Sequence, residues 1–163
     1  MEYLKAKEID IEQCQKLKKE VIARLDKSGL HIWDEEYLSD ELIKEDILFS
    51  NARVIKEKDE IIAYACFDEA VKEFGENVFE EDNLYSFSRL MVKSGFTGKH
   101  VATFLINSML KEMKDLGADG CGVLVHPINK VAIKMYERLG FNLEETKIYP
   151  YGEFHNFVFL FDN

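Results

Sequence analysis

Apolar residues recur at two different spacings along the chain, and each spacing predicts one kind of element. Where they stand three and four positions apart, they form one face of a helix. Asp10 is placed to cap the first such helix, and Ser28 and Gly29 are placed to end it. The predicted helices cover residues 11–25, 98–116 (closed by Gly117) and 129–139 (stopped by Gly140), with an acidic helix that starts at Asp34 or Ser39 and reaches Phe49.

Between the helices, short runs rich in β-branched and aromatic residues predict strands. Residues 52–56 and 61–67 flank a tight turn, which predicts a hairpin, and residues 68–83 form a polar, acidic connection. The remaining predicted strands are residues 3–7, 84–92, 122–125, 141–148 and 154–161. Because strands and helices alternate, we predict a mixed α/β sheet with helices on its faces.

Composition and charge narrow the class of protein. The 163 residues are 47% hydrophobic and 32% charged, which predicts one soluble globular domain over residues 1–163. The net charge of −10 argues against a nucleic-acid partner, and no apolar run approaches the roughly 20 residues of a membrane span. Three scattered cysteines without metal spacing, and a start that does not resemble a signal peptide, lead us to expect a cytoplasmic protein without a metal site.

Residues 93–103 join a predicted strand to a predicted helix through a turn that contains glycine. A phosphate-binding NTPase loop would need glycine where Lys93 stands and serine or threonine where His100 stands. A GxGxxG loop is excluded too, because this turn holds only Gly95 and Gly98. The N-terminus of a helix still presents unpaired N–H donors and about half a positive charge. The turn is therefore a candidate anion site, with a purely structural bend as the alternative.

The segment that follows fits a known sequence motif. The pattern N-x-x-A-x-x-x-Y-x-x-x-G-F is matched in full by Asn129, Ala132, Tyr136, Gly140 and Phe141. The turn fits a second motif, [RQ]-x-x-G-x-[GA], only in part: Thr97 replaces the arginine or glutamine, and His100 replaces the glycine. On these residues the chain resembles the GNAT superfamily of acyl-CoA-dependent N-acetyltransferases, most closely over residues 84–161.

The resemblance implies the acyl-CoA N-acyltransferase fold, a mixed and mostly antiparallel sheet with a splayed pair of parallel strands. It also implies acetyl-CoA (coenzyme A) as co-substrate: strand residues would pair with its amide arm, and the turn would hold its diphosphate. Tyr136 would be the general acid that protonates the leaving thiolate. The coenzyme-binding residues implied are Leu90, Met91, Val92, Gly98, Lys99, His100, Val101, Ala102, Thr103, Asn129, Lys134 and Tyr136.

The acceptor and the general base are less well defined by the sequence. The strand before the turn offers only Ser86 and Ser88, which are not competent bases. Weaker candidates for the acceptor site or the base are His31, Trp33, His126, Glu80 and Glu81. Each role has a structural alternative: a turn contact for His126, a core position for Trp33 and a solvated face for the acidic residues.

The implied function is N-acetylation of a small amine, a polyamine, an amino acid or a peptide N-terminus. The amine would attack acetyl-CoA directly in a ternary complex, and the protein would be a monomer or a homodimer. Two other classes stay open. One is a non-catalytic acyl-CoA-binding or sensing module on the same fold, and the other is an interaction protein whose turn is only structural.

Overall fold

Strands and helices are interleaved along the chain, as predicted. The computed structural model describes residues 1–70, 76–98 and 100–162, with the backbone alone of Lys72 and Glu73. A 3₁₀ turn, Glu8–Asp10, follows the first strand. The described elements are β1 (Glu2–Lys5), α1 (Ile11–Lys27), α2 (Asp40–Leu48), β2 (Ala52–Glu57), β3 (Glu60–Glu69), β4 (Lys72–Glu73), β5 (Glu76–Asn77), β6 (Leu84–Val92), α3 (Val101–Asp115), β7 (Gly120–Val125), α4 (Lys130–Leu139), β8 (Asn142–Tyr149) and β9 (Gly152–Leu160).

Seven of these strands form one mixed sheet, in the order β1-β2-β3-β6-β7-β9-β8, while β4 and β5 form a small hairpin. Strands β1 and β2, β2 and β3, β7 and β9, and β8 and β9 pair antiparallel. Strands β6 and β7 pair in parallel, with Leu84 opposite Gly120 and Ser86 opposite Gly122. The predicted fold class, a mixed and mostly antiparallel sheet with one parallel pair, is confirmed.

The chain divides into two compact units. The first comprises Met1–Phe67 and Arg89–Ser108, and the second comprises Asp68–Ser88 and Met109–Asn163. Strand β6 and helix α3 each contribute residues to both units. The single domain expected from the length of the chain stays a prediction.

The first unit packs α1 and α2 against β2 and β3. Its buried cluster draws on all four elements, because the apolar face of each helix meets apolar strand residues. Helix α2 begins where Ser39 accepts a hydrogen bond from the Leu42 amide (3.1 Å), as one of the two predicted starts required. The fully or nearly fully buried members of the cluster are Ala6, Cys14, Leu17, Val21, Ile22, Leu38, Ile43, Ile47, Ala52, Val54, Ile61, Tyr64 and Met91.

In the second unit, β9 presents different neighbours on its two faces. The ring of Phe157 lies 6.3 Å from that of Tyr136 in α4, while the next residue, Val158, packs with Val78 and Phe79. Successive strand residues point to opposite faces, so α4 covers one face and residues 78–79 cover the other. The ring of Phe79 lies against Gly122, where an added Cβ would approach it to 2.6 Å.

Two local expectations were wrong, and a third feature goes beyond what was predicted. Asp10 does not cap α1: its carboxylate accepts from the Lys7 amide (2.8 Å) and pairs with Lys56 (2.9 Å), which closes the 3₁₀ turn instead. Residue 116 was predicted as the last residue of the third helix, but the helix already ends at Asp115 and Leu116 is 57% exposed. The polar, acidic connection predicted over residues 68–83 also contains β4 and β5 and buries the side chain of Phe79.

Candidate active site

The turn before α3 uses left-handed backbone conformations. The φ angles are +88° at Gly95, +76° at Gly98 and +63° at His100. Glycine adopts such angles at no steric cost, whereas a residue with a Cβ does so rarely. His100 therefore has the backbone shape that the motif's glycine would supply, although its side chain differs. Lys99, the residue between them, lies outside the described residues.

Helix α3 opens immediately after His100. The Phe104 amide donates to the His100 carbonyl (3.0 Å), which is a first-turn helical hydrogen bond. The amides of Val101, Ala102 and Thr103 precede that bond. They belong to the first turn of the helix, whose N–H groups have no acceptor within the helix. Val101 is buried, Ala102 and Thr103 are half-buried, and His100 is exposed. This arrangement suits an anion held by backbone amides.

Helix α4 is defined by residues of the complete motif. The Asn129 side-chain oxygen accepts from the Ala132 amide (3.2 Å) and caps the helix. Gly140 ends the helix with φ +102°, and the Phe141 amide then donates to the Tyr136 carbonyl (2.9 Å). Asn129 thus begins the helix through its side chain, and Gly140 and Phe141 end it through their backbone.

Tyr136, the expected general acid, lies in an aromatic environment. Its ring centroid is 5.9 Å from that of Phe87, 5.6 Å from Phe141 and 6.3 Å from Phe157. The side chain is 7% exposed. Burial, with a smaller contribution from Cys121, raises the pKa of the Tyr136 phenol. The hydroxyl therefore stays protonated at neutral pH. Lys134, on the same helix, is exposed.

Strand β6 contains a buried ion pair that the sequence reading missed. Arg89 donates through Nε (2.9 Å) and Nη2 (2.7 Å) to the two carboxylate oxygens of Asp46 in α2. The Tyr64 hydroxyl donates to the same carboxylate at 2.6 Å. A charged residue within an otherwise apolar and small-residue strand, residues 84–92, was the signal that could have revealed the pair. We call these three residues the arginine clamp.

The electrostatics of the arginine clamp are balanced. Burial opposes the charge of Arg89, but the bonds to Asp46 outweigh it and raise the pKa of the guanidinium. Burial and the Asp46 carboxylate together raise the pKa of the Tyr64 phenol, which stays a donor. Burial raises the pKa of the adjacent Cys66 thiol to about 12. Three donors thus occupy the Asp46 carboxylate.

The strand residues expected to contact the coenzyme follow directly after Arg89. Met91 is buried, and Leu90 and Val92 are half-buried. The Val92 carbonyl accepts a hydrogen bond from Arg24 in α1 (2.9 Å), and the Lys93 amide donates to the Ile62 carbonyl in β3 (2.8 Å). The end of β6 is therefore fixed from two sides.

The weaker acceptor candidates already have structural contacts. His126 Nδ1 accepts from the Ile128 amide (3.2 Å), and its ring packs edge-on to Phe154 at 5.7 Å. His31 lies 2.9 Å from the Asp26 carboxylate and is 70% exposed. Trp33 packs against the buried cluster of the first unit. These contacts give each residue a structural role and leave its acceptor role a prediction.

Three glutamates come together in the second unit. Glu80, Glu81 and Glu144 each offer a carboxylate oxygen, and these oxygens lie within 4.8 Å of one another. The Glu80 amide donates to Glu144 (3.0 Å). Burial, followed by Glu81 and Glu80, raises the pKa of Glu144 from 4.5 to about 7. The sequence placed Glu80 and Glu81 among the base candidates, but Glu144 stands in a strand far along the chain and gave no such signal.

The predicted site residues thus fall into two groups. The turn and β6 residues belong to the first unit, and Asn129, Lys134, Tyr136 and His126 belong to the second. A sequence profile described as the acetyltransferase (GNAT) family matches residues 16–141, which is more than half of the chain. The chain belongs to this family. No curated protein sequence matches this GNAT chain significantly.

Solved structures of other GNAT proteins share the fold. An acetyltransferase of this family from Streptococcus agalactiae is 18% identical, with a TM-score of 0.85 over 99% of this chain and 96% of its own. The PaiA N-acetyltransferase of Thermoplasma acidophilum, in complex with coenzyme A, is 21% identical, with a TM-score of 0.76 over 98% of each chain. A GNAT acetyltransferase from Brucella melitensis, in complex with acetyl-CoA, is 14% identical, with a TM-score of 0.66 over 99% of this chain and 88% of its own.

Among the described residues of the GNAT chain, we find no helix whose length and apolar character would let it cross a membrane.

Proposed function

We propose that the protein is an acetyl-CoA-dependent N-acetyltransferase of small amine substrates. The classes considered are a small amine, a polyamine, an amino acid and a peptide N-terminus. One observation carries the proposal: the complete family motif folds into α4 with Asn129 as its cap and with Tyr136 as a buried, protonated phenol. Two structural relatives that contain coenzyme A or acetyl-CoA support the choice of co-substrate.

The coenzyme contacts follow from the groups that each element presents. The amides of Val101, Ala102 and Thr103, next to Gly98 and His100, would hold the diphosphate, and Lys99 would add charge there. The backbone of Leu90, Met91 and Val92 would pair with the amide arm as an added strand. The Asn129 oxygen already caps α4, so its amide nitrogen is the group that would donate to the arm. Lys134 would lie near the nucleotide.

The chemistry begins with a proton. An alkyl ammonium has a pKa near 10, so about one amine in a thousand is nucleophilic at neutral pH. A general base must therefore take one proton before attack. The sequence candidates for this role include His31, His126, Glu80 and Glu81. Glu144 joins them, because its carboxylate lies within 4.8 Å of those of Glu80 and Glu81 and its pKa is raised to about 7.

The transfer itself then proceeds in two bond changes. The amine nitrogen bonds to the thioester carbonyl carbon, and the carbonyl oxygen takes the negative charge, stabilised by the amide of Val92 or a neighbour. The carbon–sulfur bond breaks, and the leaving thiolate takes the phenolic proton of Tyr136. The second proton of the amine restores the phenol. The products are the N-acetylated acceptor, free coenzyme A thiol and the proton first taken by the base.

The test has two stages. Acetyl-CoA at about 100 times its Kd should stabilise the protein by roughly 2.7 kcal/mol, which a thermal shift reveals. A panel of amines is then screened, one at a time, for release of free thiol from acetyl-CoA. The reaction without an amine gives the background. Stabilisation without thiol release from any amine would favour the non-catalytic acyl-CoA module. Absence of stabilisation would refute the proposal.

A further inference from the structure

The segment Arg89 to Val92 of β6 is held by side chains at both of its ends. At its start, the arginine clamp joins Arg89 to Asp46 through two hydrogen bonds (2.9 and 2.7 Å). At its end, Arg24 of α1 donates to the Val92 carbonyl (2.9 Å). Two helices, α1 and α2, therefore each fix one end of a segment four residues long.

The backbone at the clamped end is unusual for a strand. Arg89 has φ +55°, in the left-handed region, within a strand whose ordinary φ is strongly negative. An arginine leaves this region readily unless its surroundings hold it there. The two parallel hydrogen bonds to Asp46 fix the plane of the guanidinium as well as its position. The Tyr64 hydroxyl (2.6 Å) in turn holds the carboxylate, and the Asp46 side chain is 7% exposed.

The other end of the segment sets which backbone groups face a ligand. The Lys93 amide bonds to the Ile62 carbonyl of β3, and backbone groups in a strand alternate in direction. The polar groups of Leu90 and Val92 therefore point away from β3. Arg24 donates to the Val92 carbonyl, and the amide is the backbone donor that Val92 can offer to a ligand on that side. This is the amide that the transfer mechanism needs near the thioester oxygen.

We propose that Arg89, Asp46, Tyr64 and Arg24 are positioning residues that fix the backbone of Leu90 to Val92 for acyl-CoA. The inference rests on the proposed function, because it assigns a purpose to the strand that would pair with the coenzyme. The four side chains act through that backbone and take no part in bond making. Their removal should therefore weaken binding of the coenzyme and slow turnover while the fold persists.

The decisive variants remove the charges together, because a single change would leave Arg89 or Asp46 buried and unpaired. Replacement of a whole buried ion pair by apolar residues is often tolerated. We would combine Tyr64→Phe and Asp46→Leu with either Arg89→Met or Arg89→Gly. The two triple variants differ only at residue 89, where glycine adopts a positive φ without strain and methionine does not.

We expect the methionine variant to bind acetyl-CoA about tenfold more weakly and to lose about tenfold in kcat. The glycine variant should recover at least half of each loss on a logarithmic scale. Arg24→Met should lower kcat with a smaller effect on Kd, because it frees the Val92 carbonyl at the thioester end. The three-bond coupling between the amide and Hα protons of residue 89, which depends on φ, should change only in the methionine variant.

A matched control uses the Lys56 and Asp10 ion pair of the same unit (2.9 Å), which does not touch β6. Lys56→Met with Asp10→Leu should alter stability comparably and leave Kd and kcat within about twofold. If the methionine variant folds and keeps wild-type Kd, kcat and coupling, the inference is wrong. If wild-type protein fails to bind acetyl-CoA, the proposed function fails, and the coupling at residue 89 still tests whether the clamp sets the backbone.

Discussion

The helices α3 and α4 both begin at turns where the coenzyme is expected, but they begin in different ways. A side chain begins α4: the Asn129 oxygen accepts a hydrogen bond from the Ala132 amide at 3.2 Å. Backbone conformation begins α3: Gly98 and His100 adopt φ angles of +76° and +63° and lead into the first helical turn. The family motif is complete at α4 and only partial at α3.

This difference shows what a sequence motif encodes at each place. The asparagine of α4 supplies a specific oxygen, so its identity matters. The glycine expected at His100 supplies a backbone conformation, and histidine adopts that conformation at some steric cost. A chain can therefore depart from the residue types of a motif and still preserve the backbone conformation. Substitutions at the two helices should separate these cases.

The largest effect is expected for Tyr136→Phe in α4. Removal of the phenolic proton should lower kcat by at least about 100-fold, since a positioned general acid contributes that much or more. The ring stays in its aromatic environment, so the melting temperature should change little. The measurement is thiol release at saturating acetyl-CoA with the best amine of the panel.

The control for Tyr136→Phe is a change of leaving group. If Tyr136 is the acid, the variant should retain more of the wild-type activity with an acetyl donor whose thiol is more acidic. If Tyr136→Phe keeps wild-type turnover with acetyl-CoA, Tyr136 is not the acid.

Gly140→Ala should cost about 1–2 kcal/mol of unfolding free energy. Alanine at φ +102° is strained, and its Cβ would also approach the Phe159 ring to 3.1 Å. Gly117→Ala at the end of α3 is the matched control, because it has φ +94° with nothing within 4 Å of the added Cβ. Urea unfolding should show the larger loss for Gly140→Ala. Equal losses would mean that the Phe159 contact contributes nothing.

Asn129→Ala should cost about 1 kcal/mol through loss of the cap. Asn129→Asp keeps a capping oxygen but replaces the amide donor, so it should preserve stability and weaken acetyl-CoA binding. Paired urea unfolding and calorimetric titration separate these two roles. If Asn129→Asp binds acetyl-CoA as well as the wild type does, the amide of Asn129 does not contact the coenzyme.

The smallest effect is expected at His100. His100→Gly should be more stable than His100→Ala by about 1 kcal/mol, because only glycine is unstrained at φ +63°. His100→Gly should also bind acetyl-CoA at least as tightly as the wild type does. Weaker binding by His100→Gly would show instead that the imidazole itself contacts the ligand.

Local patterns in the sequence were enough for most of the fold. Strand β6 was predicted with its observed bounds, and Ser39, Gly117 and Gly140 were each expected at a helix end. Each of these features depends on a few consecutive residues, such as a capping hydroxyl or a left-handed glycine. The failure at Asp10 has two causes, because its carboxylate accepts from the nearby Lys7 amide and also pairs with Lys56, 46 positions away.

The site was less predictable, because its polar contacts join distant parts of the chain. The arginine clamp links Asp46 and Arg89, which are 43 residues apart, and Glu144 meets Glu80 across 64 residues. Neither spacing leaves a periodic signal in the sequence. The motif identified Asn129 and Tyr136 because their roles depend on one short helix. The acceptor stays unassigned, because its binding depends on contacts of this long-range kind.

The crowding of Glu144 by two other glutamates has a practical consequence for handling the protein. Its pKa is about 7 in the folded chain against an ordinary 4.5, so folding favours the protonated form. That contribution is complete below pH 4.5, falls as the pH rises from 4.5 to 7 and is gone above 7, and solvent screening limits it to about 1 kcal/mol. Purification and storage near pH 6 should therefore preserve the folded protein better than alkaline buffers do, and Glu144→Gln should remove the difference.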